Sequence, residues 1–256
     1  MLIDFIIRNY VALANSKLQK SGIKPYSLAY WREKRDGLKR FSSKHHILTP
    51  SYRVLKTAGA DIPVPELKGL YDGVTLGSWT LDAESMTLLW QRLVAERPRV
   101  IAECGCGVST VMFAKYFSLH RPDGILLSFE QDEKEQDRLN ARLKELGLEK
   151  GVQIYYVPVS DPAKGYDFHL QGGVEALPGM TKFDWLVVDG PNGADNSRYN
   201  TVPVLQQLAN PGAVWFLDDS FRDGEFAILE KWAALPGVEV EGIYPIGKGL
   251  GTGKFK

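Results

Sequence analysis

From residue 80 onward, short apolar segments alternate with segments that have helical spacing, and this alternation constrains the fold more than any other feature. The apolar segments have strand length and are rich in β-branched residues. Because strands that are apolar throughout and separated by helices are typical of a parallel sheet covered on both faces, the pattern predicts a doubly wound α/β fold. The predicted strands are 100–104, 125–129, 152–157, 183–188, 213–217, 238–244 and 250–255, and the predicted helices are 109–119, 133–147, 201–209 and 225–234.

A further helix is predicted just before the first strand. Thr80 is a candidate N-cap, and the helix would continue to about Glu96. Asp82 and Glu84 would lie in its first turn, where acidic side chains interact favourably with the helix dipole.

Residues 99–110, Arg-Val-Ile-Ala-Glu-Cys-Gly-Cys-Gly-Val-Ser-Thr, predict a strand, a tight turn and the start of a helix. The strand ends in Glu103, and Gly105 and Gly107 allow a ligand to lie against the backbone of the turn. The third glycine of the dinucleotide fingerprint is absent, because Thr110 stands in its place. Taken alone, this turn is compatible with either a methyl donor or a nucleotide.

Polar residues follow nearly every predicted strand. In an open α/β sheet, ligands bind outside the carboxyl ends of the strands, so these side chains are candidates for one site. Glu130, which follows the second strand, is suited to accept hydrogen bonds from both ribose hydroxyls of an adenosine-containing cofactor. The residues at the strand ends are Glu103, Glu130, Ser160 with Asp161, Asp189, and Asp218 with Asp219.

The sequence Glu103-x-Gly105-x-Gly107 resembles motif I of the class I S-adenosylmethionine-dependent methyltransferases. The resemblance extends over about residues 76–256 and implies a mostly parallel, seven-stranded, Rossmann-like sheet with an antiparallel edge hairpin. It also implies S-adenosyl-L-methionine as the cofactor. The residues that it assigns to cofactor binding are Glu103, Gly105, Gly107, Ser109, Thr110, Glu130, Ser160 and Asp161.

The sequences 183–193 and 214–220 resemble the small-molecule O-methyltransferase branch that includes catechol O-methyltransferase. The resemblance implies an oxygen acceptor and Mg²⁺ bound by Asp189, Asp218 and Asp219. Asn192 stands where the catechol enzymes have a lysine, so a metal-free site in which Asp189 or Asp219 takes the substrate proton stays open.

Two arginines near these motifs, Arg198 and Arg222, are candidates to orient a polar or anionic acceptor. Surface salt bridging is the simpler interpretation of both side chains. The acceptor itself is expected to be a small molecule or a glycan. Two alternative functions stay open: a non-catalytic cofactor-binding subunit, and an NAD-dependent oxidoreductase.

The charge is divided unevenly along the chain. Residues 1–70 carry 13 Lys or Arg against 5 Asp or Glu, whereas residues 71–256 carry 18 against 26. We therefore predict an N-terminal basic helical extension, residues 1–75, before a methyltransferase domain of residues 76–256. The two cysteines lie in the glycine-rich turn and suggest no disulfide, which favours a reducing, cytoplasmic compartment.

The N-terminal extension leaves several contacts open. Residues 2–14 have the spacing of an apolar helix face. This face would pack on the domain or on a second subunit of a homodimer. Alternatively, residues 1–40 would make a peripheral contact with a membrane surface. Residues 32–44 are rich in Lys and Arg, but such a run is more typical of a solvated helix face than of a nucleic-acid site.

Overall fold

The computed structural model describes Leu55 and residues 64–70, 80–171 and 173–256. Within these residues, seven strands form one sheet in the order β3-β2-β1-β4-β5-β7-β6. The strands are β1 (Val100–Cys104), β2 (Ile125–Glu130), β3 (Val152–Tyr156), β4 (Phe183–Val188), β5 (Ala209–Leu217), β6 (Val238–Tyr244) and β7 (Leu250–Phe255). The helices are α1 (Ala83–Glu96), α2 (Val108–His120), α3 (Glu133–Glu145), α4 (Thr201–Leu205) and α5 (Asp223–Ala233).

The predicted fold class is confirmed. Strands β1 to β5 pair in parallel, and β7 pairs antiparallel with both β5 and β6, which is the expected edge hairpin. The strand order reverses between β1 and β4, and ligands bind at such a switch point in doubly wound sheets. Because Cys104 lies opposite both Phe129 and Val188, the residues that follow β1, β2 and β4 emerge at one edge.

Some predicted helix boundaries are wrong. The N-cap of α1 is Asp82, not Thr80, because the Asp82 carboxylate accepts hydrogen bonds from the amides of Glu84 and Ser85 at 2.9 and 3.0 Å. Helix α2 begins at Val108, one residue before the predicted start. The helix predicted over 201–209 ends early: α4 passes into a 3-10 turn over Gln206–Leu208, and β5 begins directly afterwards.

The two faces of the sheet are covered by separate apolar layers. On one face, Trp215 of β5 packs edge-on against Trp232 of α5 with ring centroids 5.2 Å apart. On the other face, Trp185 of β4 packs with residues of α1 and α2, and Leu67 of a short 3-10 turn joins this layer. Burial of both faces explains why the strands are apolar along their length.

The predictions for residues 1–40, including the helices and the contacts with a membrane, a second subunit or nucleic acid, lie outside the described residues. Within the predicted extension, the Leu55 amide donates a backbone hydrogen bond of 3.1 Å to the carbonyl of Ile243 on the edge strand β6. None of the helices in the described part of the chain has both the length and the apolar character that a bilayer crossing requires.

Candidate active site

Glu103, the acidic residue near the end of β1, is fully buried beneath the glycine-rich turn. Its carboxylate accepts hydrogen bonds from three hydroxyls: Ser109, Thr110 at 2.6 Å and Ser128 at 2.9 Å. Burial raises the pKa of Glu103 from 4.5 to about 7, although the three hydroxyls oppose the shift. Glu103 therefore contacts hydroxyls of the protein and ties β2 and the first turn of α2 to β1.

The first glycine of the glycine-rich turn is required by both its backbone conformation and its surroundings. Gly105 has a φ of 89°, and a Cβ at this position would lie 2.8 Å from the amide nitrogen of Gly190. Gly107 caps α2, and its amide donates to the Thr110 hydroxyl at 2.8 Å. A Cβ on Gly107 would meet nothing within 4 Å, so there is open space above this residue. The turn thus leaves room for a ligand beside the first turn of a helix.

Glu130, the last residue of β2, is almost completely buried at the same edge. One carboxylate oxygen accepts from the Cys106 amide at 3.0 Å. The other accepts from the amides of Gln131 and Asp132 at 2.7 and 2.8 Å. The Glu130 side chain therefore links the end of β2 to the glycine-rich turn. Glu103 likewise links β1 to the helix that follows this turn.

Ser160 and Asp161 do not directly follow a strand, because β3 ends at Tyr156 and a loop carries them. The Ser160 amide donates to the buried Asp167 carboxylate at 2.8 Å. The side-chain hydrogen bond from Ser160 is the main cause that lowers the pKa of Asp167, and the amide contact adds to it. Asp161 accepts from the Ala163 amide at 3.0 Å within its own turn. Sequence reasoning missed Asp167, since nothing in its spacing distinguishes it from other loop acids.

Asp189, Asp218 and Asp219 form a cluster, which we call the aspartate triad. One carboxylate oxygen from each lies within 4.8 Å of the others. Consecutive strand residues would point to opposite faces, but both Asp218 and Asp219 follow the end of β5. Asp219 has a φ of 59°, and this left-handed turn brings its side chain to the same side as that of Asp218.

Among the described residues, three cationic side chains surround the triad. Arg198 is buried and lies 3.4 Å from one oxygen each of Asp189 and Asp219. Arg222 and Lys248 contact Asp219 at 2.8 and 3.3 Å. Surface salt bridging is thus the wrong interpretation of Arg198, because its segment folds back under the strand ends. No sequence pattern indicated Lys248, which lies far away in the chain on the turn before β7.

The triad is held in an environment that disfavours charge. Burial raises the pKa of Asp189 from 3.8 to about 6; Arg198 opposes this shift, and Asp219 adds to it. Burial also raises the pKa of Asp218 well above its ordinary value, with Asp189 as a second cause. Asp189 keeps 18% of its side-chain surface exposed, so of the three it is best placed to exchange a proton with a ligand.

The donor set of the triad fits a divalent cation. Carboxylate oxygens are the ligands that Mg²⁺ prefers, and three separate side chains offer them here. Oδ1 of Asp219 is buried and accepts no hydrogen bond, although the Lys248 ammonium is near. Such an atom is available for coordination.

Comparisons with known proteins agree with this architecture. Residues 102–220 match the family model described as a methyltransferase domain. The fold is similar to that of an O-methyltransferase from Bacillus cereus in complex with SAH (TM-score 0.57, 18% identity, covering 77% of this chain and 95% of that one). It is also similar to that of the O-methyltransferase TomG from Streptomyces achromogenes in complex with SAM (TM-score 0.55, 18% identity, covering 85% and 98%).

A search of curated proteins finds no match. The domain match and the shared fold confirm the resemblance to class I methyltransferases that the motifs predict. The matched segment begins in β1 and ends just after the aspartate triad, so it contains both groups of strand-end acids.

Proposed function

We propose that this chain, which carries a methyltransferase domain with the class I fold, transfers a methyl group from S-adenosylmethionine to an oxygen of a small molecule or a glycan. One observation carries the proposal: two groups of buried acids lie along one sheet edge, on either side of the contact between Gly105 and Gly190. The first group adjoins open space at a helix N-terminus, and the second offers a proton acceptor.

Cofactor binding is assigned to the first group. The cofactor supplies a methyl group that its sulfonium already activates, so the protein has to hold and align it. Glu130 would accept hydrogen bonds from the ribose, and the open space at Gly107 would take the methionine end. Ser160, which is exposed beside this edge, and Asp161 would lie near the adenine. Glu103 would act indirectly, because it is fully buried and its carboxylate accepts hydrogen bonds from three hydroxyls that shape the turn.

Proton removal from the acceptor is assigned to Asp189. Its pKa of about 6 keeps it largely ionised at neutral pH and still basic enough to take a proton. Asp219 is less suited to this role, because Arg198, Arg222 and Lys248 all contact its carboxylate. We therefore propose that Asp219 helps to hold the triad in position and does not take the proton. This choice narrows the pair of candidate bases that the sequence leaves open.

Magnesium assistance is proposed as a second route to the same proton removal, in place of the metal-free Asp189 carboxylate. Asp189, Asp218 and Asp219 would hold the cation, which would lower the pKa of a bound acceptor hydroxyl. The similar folds belong to proteins named as O-methyltransferases, which supports oxygen as the accepting atom. The N-terminal extension, residues 1–75, is proposed to complete the acceptor side and to make any contact with a membrane surface or a second subunit.

Calorimetry with S-adenosylmethionine tests the cofactor site. Glu130→Gln keeps an acceptor for the neighbouring amides but removes the negative charge, and Glu130→Ala removes both. Since hydrogen bonds to charged groups contribute about 1.5–3 kcal/mol, we expect Glu130→Ala to weaken binding by about 10- to 100-fold. Glu130→Gln should have a smaller effect.

Glu133→Ala is the matched control, because this acid lies three residues away and is exposed on α3. It should bind the cofactor like the unmodified protein. Unchanged binding in folded Glu130→Ala would contradict the assignment of the ribose site. An unmodified protein that binds the cofactor but methylates no hydroxyl-bearing acceptor would contradict the enzymatic part of the proposal.

A further inference from the structure

Arg198 is fixed in place by its own segment. The carbonyl of Arg198 accepts a hydrogen bond of 2.7 Å from the Thr201 hydroxyl, and the next residue, Tyr199, accepts one of 2.9 Å from the Trp232 indole. Only 8% of the Arg198 side-chain surface is exposed. The guanidinium is therefore buried on a backbone that is anchored to the core, unlike that of a surface arginine.

The guanidinium contacts each member of the aspartate triad. Beyond the Asp189 and Asp219 carboxylates, it donates a hydrogen bond of 3.2 Å to the carbonyl oxygen of Asp218. Glu225 of α5 lies 3.8 Å from the same guanidinium nitrogen that contacts Asp219. One side chain thus spans the ends of β4 and β5, which is the position that a bridging cation would share.

A buried guanidinium keeps its positive charge at every pH at which the protein is folded. Its contacts with Asp189 and Asp219 offset the repulsion between their carboxylates. The same charge repels a second cation a few ångströms away, and this repulsion is strong where water is largely excluded. Arg198 therefore stabilises the assembled triad and weakens its affinity for a divalent ion.

We propose that Arg198 is a positioning residue whose permanent charge keeps the aspartate triad assembled without a metal ion, so that a divalent cation binds only weakly and against the guanidinium. This inference rests on the proposed function, because it concerns the same triad. It extends that function by assigning the cluster a built-in counter-charge and by predicting a weak requirement for the metal.

Manganese binding tests the proposal without any methyl transfer. Mn²⁺ is titrated into the full chain, without acceptor, and the free ion is counted by electron paramagnetic resonance. The unmodified protein should bind with a dissociation constant of about 1 mM or weaker, and Arg198→Met should bind at least about 10-fold more tightly. Arg222→Met is the matched control, because Arg222 is 44% exposed and contacts the triad only at Asp219. Its gain should be smaller.

Equal or weaker Mn²⁺ binding by folded Arg198→Met would overturn the proposal. Thermal unfolding of the unmodified protein provides a second test that needs no variant. The midpoint should move by no more than about 2 °C between EDTA and 1 mM Mn²⁺, since a ligand near its dissociation constant stabilises only slightly. A rise of about 5 °C or more would overturn the inference. Cofactor calorimetry is independent of both readouts, so failure of the proposed function would be seen separately.

Discussion

The sheet edge that carries the strand-end acids has two halves, the ends of β1 and β2 and the ends of β4 and β5, and the acids of each half have different kinds of partner. At the ends of β1 and β2, the acids Glu103 and Glu130 accept hydrogen bonds from neutral donors, namely hydroxyls and backbone amides. At the ends of β4 and β5, the aspartates lie among Arg198, Arg222 and Lys248. The comparison shows that a strand-end acid either shapes a turn or joins a charged cluster, according to what surrounds it.

The difference has an electrostatic consequence. Three hydroxyls do not offset the burial of Glu103, and its pKa rises to about 7. At Asp189 the nearby guanidinium opposes the rise caused by burial, and the pKa reaches only about 6 although Asp219 adds to the rise. The halves meet where Gly105 packs on Gly190 without side chains between them. Substitutions on each side should therefore give different kinds of effect.

The largest expected effect is a loss of methyl transfer when the charged half, at the ends of β4 and β5, is substituted. Asp189→Asn keeps the size of the side chain but removes the proton acceptor, so methyl transfer should fall by about 10²- to 10⁴-fold. Affinity for S-adenosylmethionine should change little, because the cofactor is assigned to the other half. Initial rates with a radiolabelled methyl donor, together with calorimetry, measure both quantities.

Asp195→Asn is the control for Asp189→Asn, because Asp195 is an exposed acid in the loop after β4. Its rate should match that of the unmodified protein. If Asp189→Asn bound the cofactor more weakly but kept its rate at saturating cofactor, the assignment of cofactor binding to one half and proton removal to the other would be wrong. In the unmodified enzyme, the rate should rise with pH through about 6, as Asp189 ionises.

A smaller effect, on the free energy of unfolding, is expected from substitution of Glu103 in the neutral half, at the ends of β1 and β2. The folded protein binds the Glu103 proton more tightly than the unfolded chain does, since its pKa is about 7 against 4.5. Glu103 therefore costs stability as the pH rises from about 4.5 to 7, by an amount on the order of 3 kcal/mol. Glu103→Gln should remove this loss, so the variant gains stability relative to the unmodified protein between pH 4.5 and 8.

Urea unfolding at several pH values measures the Glu103 effect as a difference between two proteins. Asp189 and Asp218 add a pH dependence of the same sign, but this contribution is common to both proteins and cancels in the difference. Glu133→Gln, on an exposed acid, should follow the unmodified protein at every pH. A difference that stays constant across the range would show that the Glu103 carboxyl is not destabilised by burial.

The sequence predicted the sheet well because strand-length apolar runs report burial on two faces. Four of the seven strands, β1, β4, β6 and β7, have the predicted bounds. Parallel pairing brings the strand ends to one edge, so Glu103, Glu130 and Asp189 could be assigned to one site from the sequence alone. The least regular boundary is that of β5, which begins at Ala209 directly after a 3-10 turn.

The partners of these acids could not be predicted, because they depend on contacts that sequence spacing does not encode. Lys248 reaches Asp219 from the turn before β7, and Arg198 becomes buried only when its loop folds under β5. At the start of α1, both Thr80 and Asp82 are chemically suitable caps. The backbone decides between them, since the Asp82 carboxylate reaches two free amides of the first turn.

The smallest expected effect concerns a side-chain link between the halves. Gln131, beside Glu130, exchanges two hydrogen bonds with the backbone of Asn192: it donates to the carbonyl at 3.1 Å and accepts from the amide at 2.7 Å. Both contacts are exposed to solvent, where water replaces a lost partner. Gln131→Ala should therefore lower the unfolding free energy by only about 1 kcal/mol or less.

The matched control for Gln131→Ala is Gln136→Ala, which removes a single side-chain bond to the carbonyl of Ile154 within the neutral half. Urea unfolding should place both variants close together if the backbone contact of Gly105 with Gly190 holds the two halves. A loss of more than about 2 kcal/mol for Gln131→Ala alone would exceed what two solvated hydrogen bonds contribute. That result would mean that the halves depend on this side chain for their alignment, and the effects of Glu130 and Asp189 substitutions would then no longer be separable.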